Sequence, residues 1–265
     1  MKLYDNFASV AAQKVRIALH EKGIAWEAVP VDLRAGDMLD PAYLVLNPAG
    51  VVPTLVHAGH VLVESTVINE YLEDVFPAPP LRPASPVDRA RMRVWTKRVD
   101  EEVHRATGIV SMAVYIRHHH RKKSPAELDA YYARMPDRDR EARQREAIAL
   151  GMEAPNVAVS MQVFARWVDD LDAALAASPW LVGDAFTLAD VACIPFVARL
   201  EMLAMAGLWR AGRRPHLARW WDAVTARASY REAVADTFPA ATRTYMLEQG
   251  RSCWPRAAAL AGMMP

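Results

Sequence analysis

The sequence has little cysteine and no long apolar run. Its 265 residues include two cysteines, Cys193 and Cys253, too few for a disulfide framework or a zinc site of several cysteines. Arg, Asp, Glu or Pro breaks every apolar run before the roughly 18 residues that a membrane-spanning helix needs. The start also lacks the basic, apolar and small-residue order of a signal peptide. We therefore expect a cytoplasmic protein with no metal site and no membrane partner.

The chain also has almost no net charge. Lys and Arg number 32 and Asp and Glu number 31, which leaves +1 and gives no whole-protein attraction to nucleic acid. Hydrophobic residues make up 52% and charged residues 24%, as in folded globular proteins. A chain of this length and composition can form one large or two modest domains.

Proline divides the sequence. Five prolines lie between residues 77 and 86, where neither a helix nor an inner strand can continue. We predict an N-terminal domain over 1–76, a linker over 77–86 and a C-terminal domain over 87–238, followed by a tail over 239–265. Within the C-terminal domain, the highly charged segment 117–155 is expected to be a solvent-exposed, partly helical insertion that arches over a cleft.

The two domains differ in their hydrophobic periodicity. Before the linker, strands are predicted over 2–4, 26–31, 52–56 and 61–63, and helices over 9–22, 41–46 and 65–75. After the linker, apolar residues recur at helical spacing over 87–114, 157–175, 188–205 and 216–226, and no convincing strand is found. The predicted fold class is therefore α/β in the N-terminal domain and all-α in the C-terminal domain.

The segment 47–55, NPAGVVPTL, places Pro53 at the start of a strand just after a turn. A proline there can be cis, and the N–H and C=O of Val52 would then be free to pair with an extended peptide ligand. The alternative is an ordinary trans proline that opens a strand.

Glu64 and Ser65 lie at a predicted strand-to-helix junction. Ser65 is a suitable N-cap, and the positive end of the new helix can bind a carboxylate while Glu64 takes an ammonium group. Together the two residues suit the head group of an α-amino acid. The alternative is a simple cap beside a surface glutamate.

Ser9 precedes the first predicted helix. Its hydroxyl could donate to a bound thiolate and lower the pKa of that thiol, whose free value is about 8.5. The alternative is plain N-capping, and Asn6 in the same loop is then the reserve donor.

Three adjacent histidines and the pair Thr187 and Asp190 are predicted to have structural rather than catalytic roles. His118, His119 and His120 precede a basic run and are predicted to form a solvated basic face. Thr187 and Asp190 have the spacing of a capping box, which predicts scaffold rather than active site.

These segments resemble the cytosolic glutathione transferase family. The resemblance rests on SxxxxxVRIAL over 9–19, EKG over 21–23, NPxGxVPTL over 47–55, ESTVIxEYL over 64–72 and LVGDxFTLAD over 181–190. It implies a thioredoxin-like N-terminal domain that binds glutathione, an all-α C-terminal domain and a two-fold homodimer. Val52 and Pro53 would hold the cysteinyl backbone of glutathione, Glu64 and Ser65 its γ-glutamyl end, and Ser9 its thiolate.

The implied reaction is attack of the glutathione thiolate on an electrophilic carbon of a small hydrophobic or aromatic molecule. The segment 63–101 more narrowly resembles glutathione-dependent β-aryl etherases, and 198–203 is similar to glutathione-dependent dehalogenases. A non-catalytic binding module on the same fold is the alternative of another class.

Overall fold

The computed structural model describes residues 1–210 and 212–263. Its strands are β1 (Lys2–Asp5), β2 (Glu27–Pro30), β3 (Thr54–His57) and β4 (His60–Val63). The first helices are α1 (Val10–Glu21), α2 (Pro41–Leu46), α3 (Ser65–Val75), α4 (Pro86–Arg98), α5 (His104–Ser111), α6 (Arg117–His120) and α7 (Pro125–Ala133). They are followed by α8 (Arg138–Leu150), α9 (Pro155–Leu175), α10 (Leu188–Met202), α11 (Pro215–Thr225), α12 (Ala228–Tyr230) and α13 (Ala240–Leu260).

The four strands form one mixed sheet in the order β2-β1-β3-β4. β1 is parallel to β2 and antiparallel to β3, and β3 is antiparallel to β4. Leu3 faces Leu55 across the β1–β3 pair, and both side chains are fully buried. Helices α1 and α3 pack against each other, and α1 also packs against α10. The predicted α/β and all-α halves are confirmed.

Helices α4 to α6 follow one another without a break over residues 86–120. Two π-helical turns, Val99–Val103 and Met112–Ile116, separate them. The helix therefore continues past residue 114, where its predicted end lies. No helix in the described ranges 1–210 and 212–263 is long and apolar enough to cross a membrane.

A buried ion pair fastens the proline-rich segment to the N-terminal helices. Lys22 and Glu73 are 2.5 Å apart between Nζ and Oε1, and both side chains are almost completely buried. Lys22 also donates to the carbonyl oxygens of Phe76 and Pro79, at 2.7 and 3.0 Å. Pro86 belongs to α4 rather than to the preceding segment, because proline suits the first turn of a helix. The division of the chain into domains at residues 76 and 86 stays a prediction.

The sequence predicts a solvent-exposed segment over 117–155, but the structure buries part of it. Tyr132, Met135, Ala147 and Ile148 are buried within it. The prediction of a solvated face for the three histidines is wrong for His120, which is 5% exposed. Its ring packs between aromatic side chains of α7, which offer it a larger apolar contact than water does.

The predicted tail forms α13. Arg256 on this helix is paired with Glu153 at 2.7 Å, and Gly250 lies so close to α10 that a Cβ there would be 2.0 Å from the carbonyl oxygen of Leu203. The last two residues of the predicted tail, 264–265, lie outside the described residues.

Candidate functional site

The sheet register brings three of the sequence-predicted features to the same end of strands β1, β3 and β4. Tyr4 of β1 pairs with Thr54 of β3, and Thr54 pairs with Val63 of β4. The loop after β1, the turn before β3 and the start of α3 after β4 therefore meet at the same end of the sheet. Ser9, Val52 with Pro53, and Glu64 with Ser65 belong to these three connections.

Ser9 is the N-cap of α1. Its Oγ accepts a hydrogen bond from the N–H of Ala12 at 3.2 Å, so the capping interpretation is correct. Accepting this bond uses a lone pair and leaves the hydroxyl proton available to a ligand.

Asn6, the reserve donor, is largely committed to its own loop. Its Nδ2 donates to the carbonyl oxygen of Val31 at 2.8 Å, and its Oδ1 accepts from the N–H of Ala8 at 2.9 Å. Only one amide N–H of Asn6 is left over. The hydroxyl proton of Ser9 and one amide N–H of Asn6 thus remain without an internal acceptor.

The carbonyl groups of this loop are held from below by buried side chains. Arg16 donates to the carbonyl oxygens of Asn6 and Phe7, at 3.3 and 3.2 Å, and forms an ion pair with Asp5. Gln13 also donates to the Phe7 carbonyl, at 3.0 Å. The loop is thus fixed by α1, the same helix that it precedes.

The Val52–Pro53 peptide bond is cis, the first of the two alternatives for this position. Within the part of the chain that the structure describes, no protein group forms a hydrogen bond with the N–H or C=O of Val52. The preceding carbonyl, that of Val51, is by contrast bonded by the hydroxyl of Tyr43 at 2.6 Å and by Nδ2 of Asn47 at 2.9 Å. The backbone of Val52 is available to a ligand, while its neighbour is fixed.

Ser65 is not the N-cap of α3, contrary to the sequence prediction. Glu64 occupies that position with φ 66° and ψ 109°, and its side chain makes no capping hydrogen bond. The chain turns sharply at Glu64, so Ser65 is already the first helical residue. Glu64 is exposed and Ser65 is buried. The uncapped N–H groups of this helix start remain free to bind a carboxylate.

Lys14 is a buried cation beside the start of α3 that the sequence analysis did not single out. Its side chain is 1% exposed, and Nζ donates to Thr66 Oγ1 at 2.6 Å and to Asp100 Oδ1 at 2.8 Å. Burial lowers the pKa of Lys14, and the charges of Asp100 and Glu64 oppose that effect. Lys14 connects α1 with the start of α3 and with the C-terminal helices. No local pattern in α1 distinguishes it from an ordinary surface lysine.

His104 was also missed. It is exposed to solvent, yet the protein around it lowers its pKa to about 4, first by desolvation and then through the positive charge of Lys14. Arg140 of α8 and Arg199 of α10 contribute in the same direction. The ring of His104 meets that of Phe196 edge to face, with 5.8 Å between the centroids.

The charged segment 117–155 contacts the N-terminal half of the chain. Arg134 is paired with Asp40 at 2.5 Å and donates to the carbonyl oxygen of Gly36 at 3.3 Å. Tyr131 packs against an apolar cluster that includes Val52. The segment therefore reaches the neighbourhood of the Val52 backbone, and the expectation that it arches over a cleft stays a prediction.

The geometry defines a class of protein: a thioredoxin-like domain with free backbone and helix-start groups at one sheet edge, joined to an all-α domain. The N-terminal domain of the glutathione S-transferase family matches residues 8–75, and its C-terminal domain matches residues 126–223. The chain belongs to the glutathione S-transferase family. It is a glutathione transferase, with glutathione as co-substrate.

Individual relatives span most of the chain. Protein LigF from Sphingobium sp. is 34% identical over 251 residues, covering 88% of this chain and 92% of LigF. Glutathione S-transferase 3 from Zea mays is 32% identical over 240 residues, covering 89% of this chain and 93% of the relative. The crystal structure of the β-etherase LigF superposes with a TM-score of 0.80 at 32% identity, over 88% of this chain and 97% of LigF.

Proposed function

We propose that Ser9 donates a hydrogen bond to the glutathione thiolate and that Val52, Pro53, Glu64 and Ser65 bind the peptide. The observation that carries this proposal is the convergence of unpaired groups at one edge of the sheet. Extended peptides pair with free backbone N–H and C=O groups, and carboxylates bind at helix starts. The hydroxyl proton of Ser9 and the positive end of α1 both favour the anionic form of sulfur.

The proposed reaction is a nucleophilic displacement at carbon. The thiolate supplies the electron pair of the new sulfur–carbon bond. The bond from that carbon to the leaving group breaks, and its electron pair departs with the leaving group. Ser9 stabilises the nucleophile and forms no covalent bond itself.

An aromatic ether is the electrophile that we favour. The similarity to LigF, described as a β-etherase, supports it, because this relative covers both halves of the chain. The leaving group would then be an aryloxide, which becomes a phenol on protonation. Halogenated aromatic compounds are the second candidate class, since displacement of halide needs the same thiolate.

A paired assay distinguishes these candidates. The purified protein is given glutathione with a β-aryl ether model compound, and separately with 1-chloro-2,4-dinitrobenzene. Release of phenol together with the glutathione thioether supports ether cleavage, and turnover of the halide alone supports a general transferase. Isothermal titration with glutathione is run in parallel. Binding without turnover on either substrate would favour the non-catalytic binding module.

We also infer a cytoplasmic homodimer. Val67 on α3 and Val94 on α4 are 57% and 66% exposed, and Arg93 ties these helices together through Glu70 at 3.0 Å. Exposed apolar side chains on neighbouring helices support a partner surface. Sedimentation at micromolar concentration should give twice the chain mass, and Val94→Asp should shift it toward the monomer. A monomer of the unmodified protein would contradict the inference.

A further inference from the structure

Arg199 is a buried cation that joins α10 to the loop before Ser9. It is 5% exposed, and its guanidinium donates to the carbonyl oxygen of Ala8. The same group donates to Ser111 Oγ at 3.1 Å and to Tyr115 OH at 3.4 Å, both on the long helical segment 86–120. Three parts of the chain that are distant in sequence therefore meet at one side chain.

This arrangement is costly for the folded protein. No Asp or Glu forms an ion pair with Arg199 among the described residues 1–210 and 212–263, and its Nε is buried without a hydrogen-bond partner. A buried charge with only neutral partners is poorly compensated for its lost hydration. A neutral side chain of similar size could fill the same space without that cost. The charge itself therefore calls for a functional explanation.

The position of the Ala8 carbonyl suggests what the charge does. Ala8 C=O and Ser9 N–H belong to the same peptide group, and the N–H of Ser9 donates to the carbonyl oxygen of Asn6 at 3.0 Å. Arg199 and Asn6 thus hold this peptide from both sides. The orientation of the peptide fixes the direction in which Ser9 presents its hydroxyl.

We propose that Arg199 is a positioning residue for the thiolate, acting through the Ala8–Ser9 peptide and through its positive charge. The inference rests on the proposed role of Ser9. A cation in a poorly solvated place favours a nearby anion more strongly than one in water. Arg199 thereby lets a helix of the all-α half, α10, help to ionise a ligand that the N-terminal half binds.

Other charged and titratable groups also face this region, and the test must allow for them. They are the ion pair of Asp5 and Arg16 below the loop, Lys14 and Asp100 beside it, Glu64 at the start of α3, and His104 and Tyr115 on the long helical segment. Desolvation and the positive charge of Lys14 lower the pKa of His104 from its usual value.

The test is the thiolate absorbance of bound glutathione as a function of pH. In Arg199→Met, the apparent pKa of the bound thiol should rise by about one pH unit, so the rate should fall about tenfold at pH values below it. Arg199→Lys should restore part of the shift because it keeps the charge. Affinity for S-methylglutathione, which has no thiol, should stay unchanged in both variants. Arg166→Gln, at an exposed arginine of α9, is the matched control and should titrate like the unmodified protein.

Two outcomes separate this inference from the proposed function. If Ser9→Ala raises the thiol pKa and folded Arg199→Met does not, Arg199 has no positioning role. If neither variant changes the titration, the role of Ser9 is refuted as well. Should Arg199→Met fail to fold, Ser111→Ala combined with Tyr115→Phe removes two acceptors of the guanidinium. That double variant should raise the thiol pKa by a smaller amount, and an unchanged titration would overturn the inference.

Discussion

Two helix starts in this protein carry similar side chains and differ in what those side chains touch. At the start of α10, Asp190 is fully buried and accepts hydrogen bonds from Leu181 N–H at 3.1 Å, Thr187 N–H at 2.9 Å and Trp220 Nε1 at 2.9 Å. At the start of α3, Glu64 is exposed and makes no capping hydrogen bond. The Asp190 carboxylate thus has its hydrogen-bond donors within the protein, whereas the Glu64 carboxylate accepts no hydrogen bond from its own helix start.

The difference separates scaffold from site. A buried carboxylate that receives hydrogen bonds from three N–H groups stabilises the fold, and any ligand would have to break those bonds first. A carboxylate and a helix start without internal partners contribute little to folding and keep their full capacity for a ligand. The same residue types therefore imply opposite roles, and only their partners tell the roles apart.

The largest effect is expected from Asp190→Ala. The variant leaves three buried N–H donors without an acceptor, and each such group costs about 1–3 kcal/mol. We expect the free energy of unfolding to fall by about 3 kcal/mol or more, measured by urea denaturation. Glu64→Ala is the matched variant at the other helix start and should leave stability nearly unchanged. Equal losses in both variants would remove the distinction between the two sites.

Asp190 also predicts how stability depends on pH. Burial raises its pKa to about 6, against the opposing hydrogen bonds from Leu181 and Thr187. Because this folded value exceeds the unfolded one of about 3.9, the unfolded chain ionises first as pH rises. The contribution of Asp190 to stability should therefore decrease between about pH 4 and pH 6, by at most about 1.4 kcal/mol per pH unit. The difference in unfolding free energy between the protein and Asp190→Asn measures it, and a difference independent of pH would contradict it.

Glu64→Ala should act on ligand binding instead. Losing a charged hydrogen bond to the ammonium group of glutathione should weaken binding by about 1–3 kcal/mol, as measured by calorimetry. Glu64→Gln should lose a similar amount, since it keeps the shape but not the charge. Glu248→Ala, at an exposed glutamate of α13, is the control. Unchanged affinity in Glu64→Ala would remove Glu64 from the site.

Local signals explain which of these features the sequence could predict. The capping box of Thr187 and Asp190 depends on residues three positions apart, and this prediction is confirmed. The same spacing accounts for the cap at Ser9, which the sequence offered as the alternative to a role in ligand binding. The position of Ser65 depends on the positive φ of Glu64, a backbone conformation that residues other than glycine rarely adopt. A cap was therefore predicted one residue too late.

The buried cations could not be predicted for a different reason. Lys14 meets Asp100 across 86 positions of the sequence, and Arg199 meets Ala8 across 191. Each lies in a helix where a surface lysine or arginine is the usual interpretation, and only the partner reveals otherwise. The many charged residues of segment 117–155 likewise predicted an exposed His120, although its ring is buried. Charge does not indicate which rings of a segment pack against each other, as His120 and Tyr131 do.

The smallest expected effect concerns Ser9, which stands between the two kinds of helix start because it caps α1 and faces the ligand edge. Ser9→Ala should raise the pKa of the bound glutathione thiol by about one pH unit, or about 1.4 kcal/mol, because the thiolate loses a hydrogen-bond donor. It should also lower stability by about 1 kcal/mol through the lost cap.

Ser85→Ala separates the two effects, since Ser85 caps α4 by accepting from Asp88 N–H at 3.4 Å and lies at a different helix start. That variant should lose similar stability and leave the thiolate titration unchanged. Ser9→Thr keeps a hydroxyl and should titrate nearly as the unmodified protein does. If Ser9→Ala and Ser85→Ala gave the same thiolate curve, Ser9 would be a cap only, and the remaining amide N–H of Asn6 or the backbone N–H groups of α1 would stabilise the thiolate.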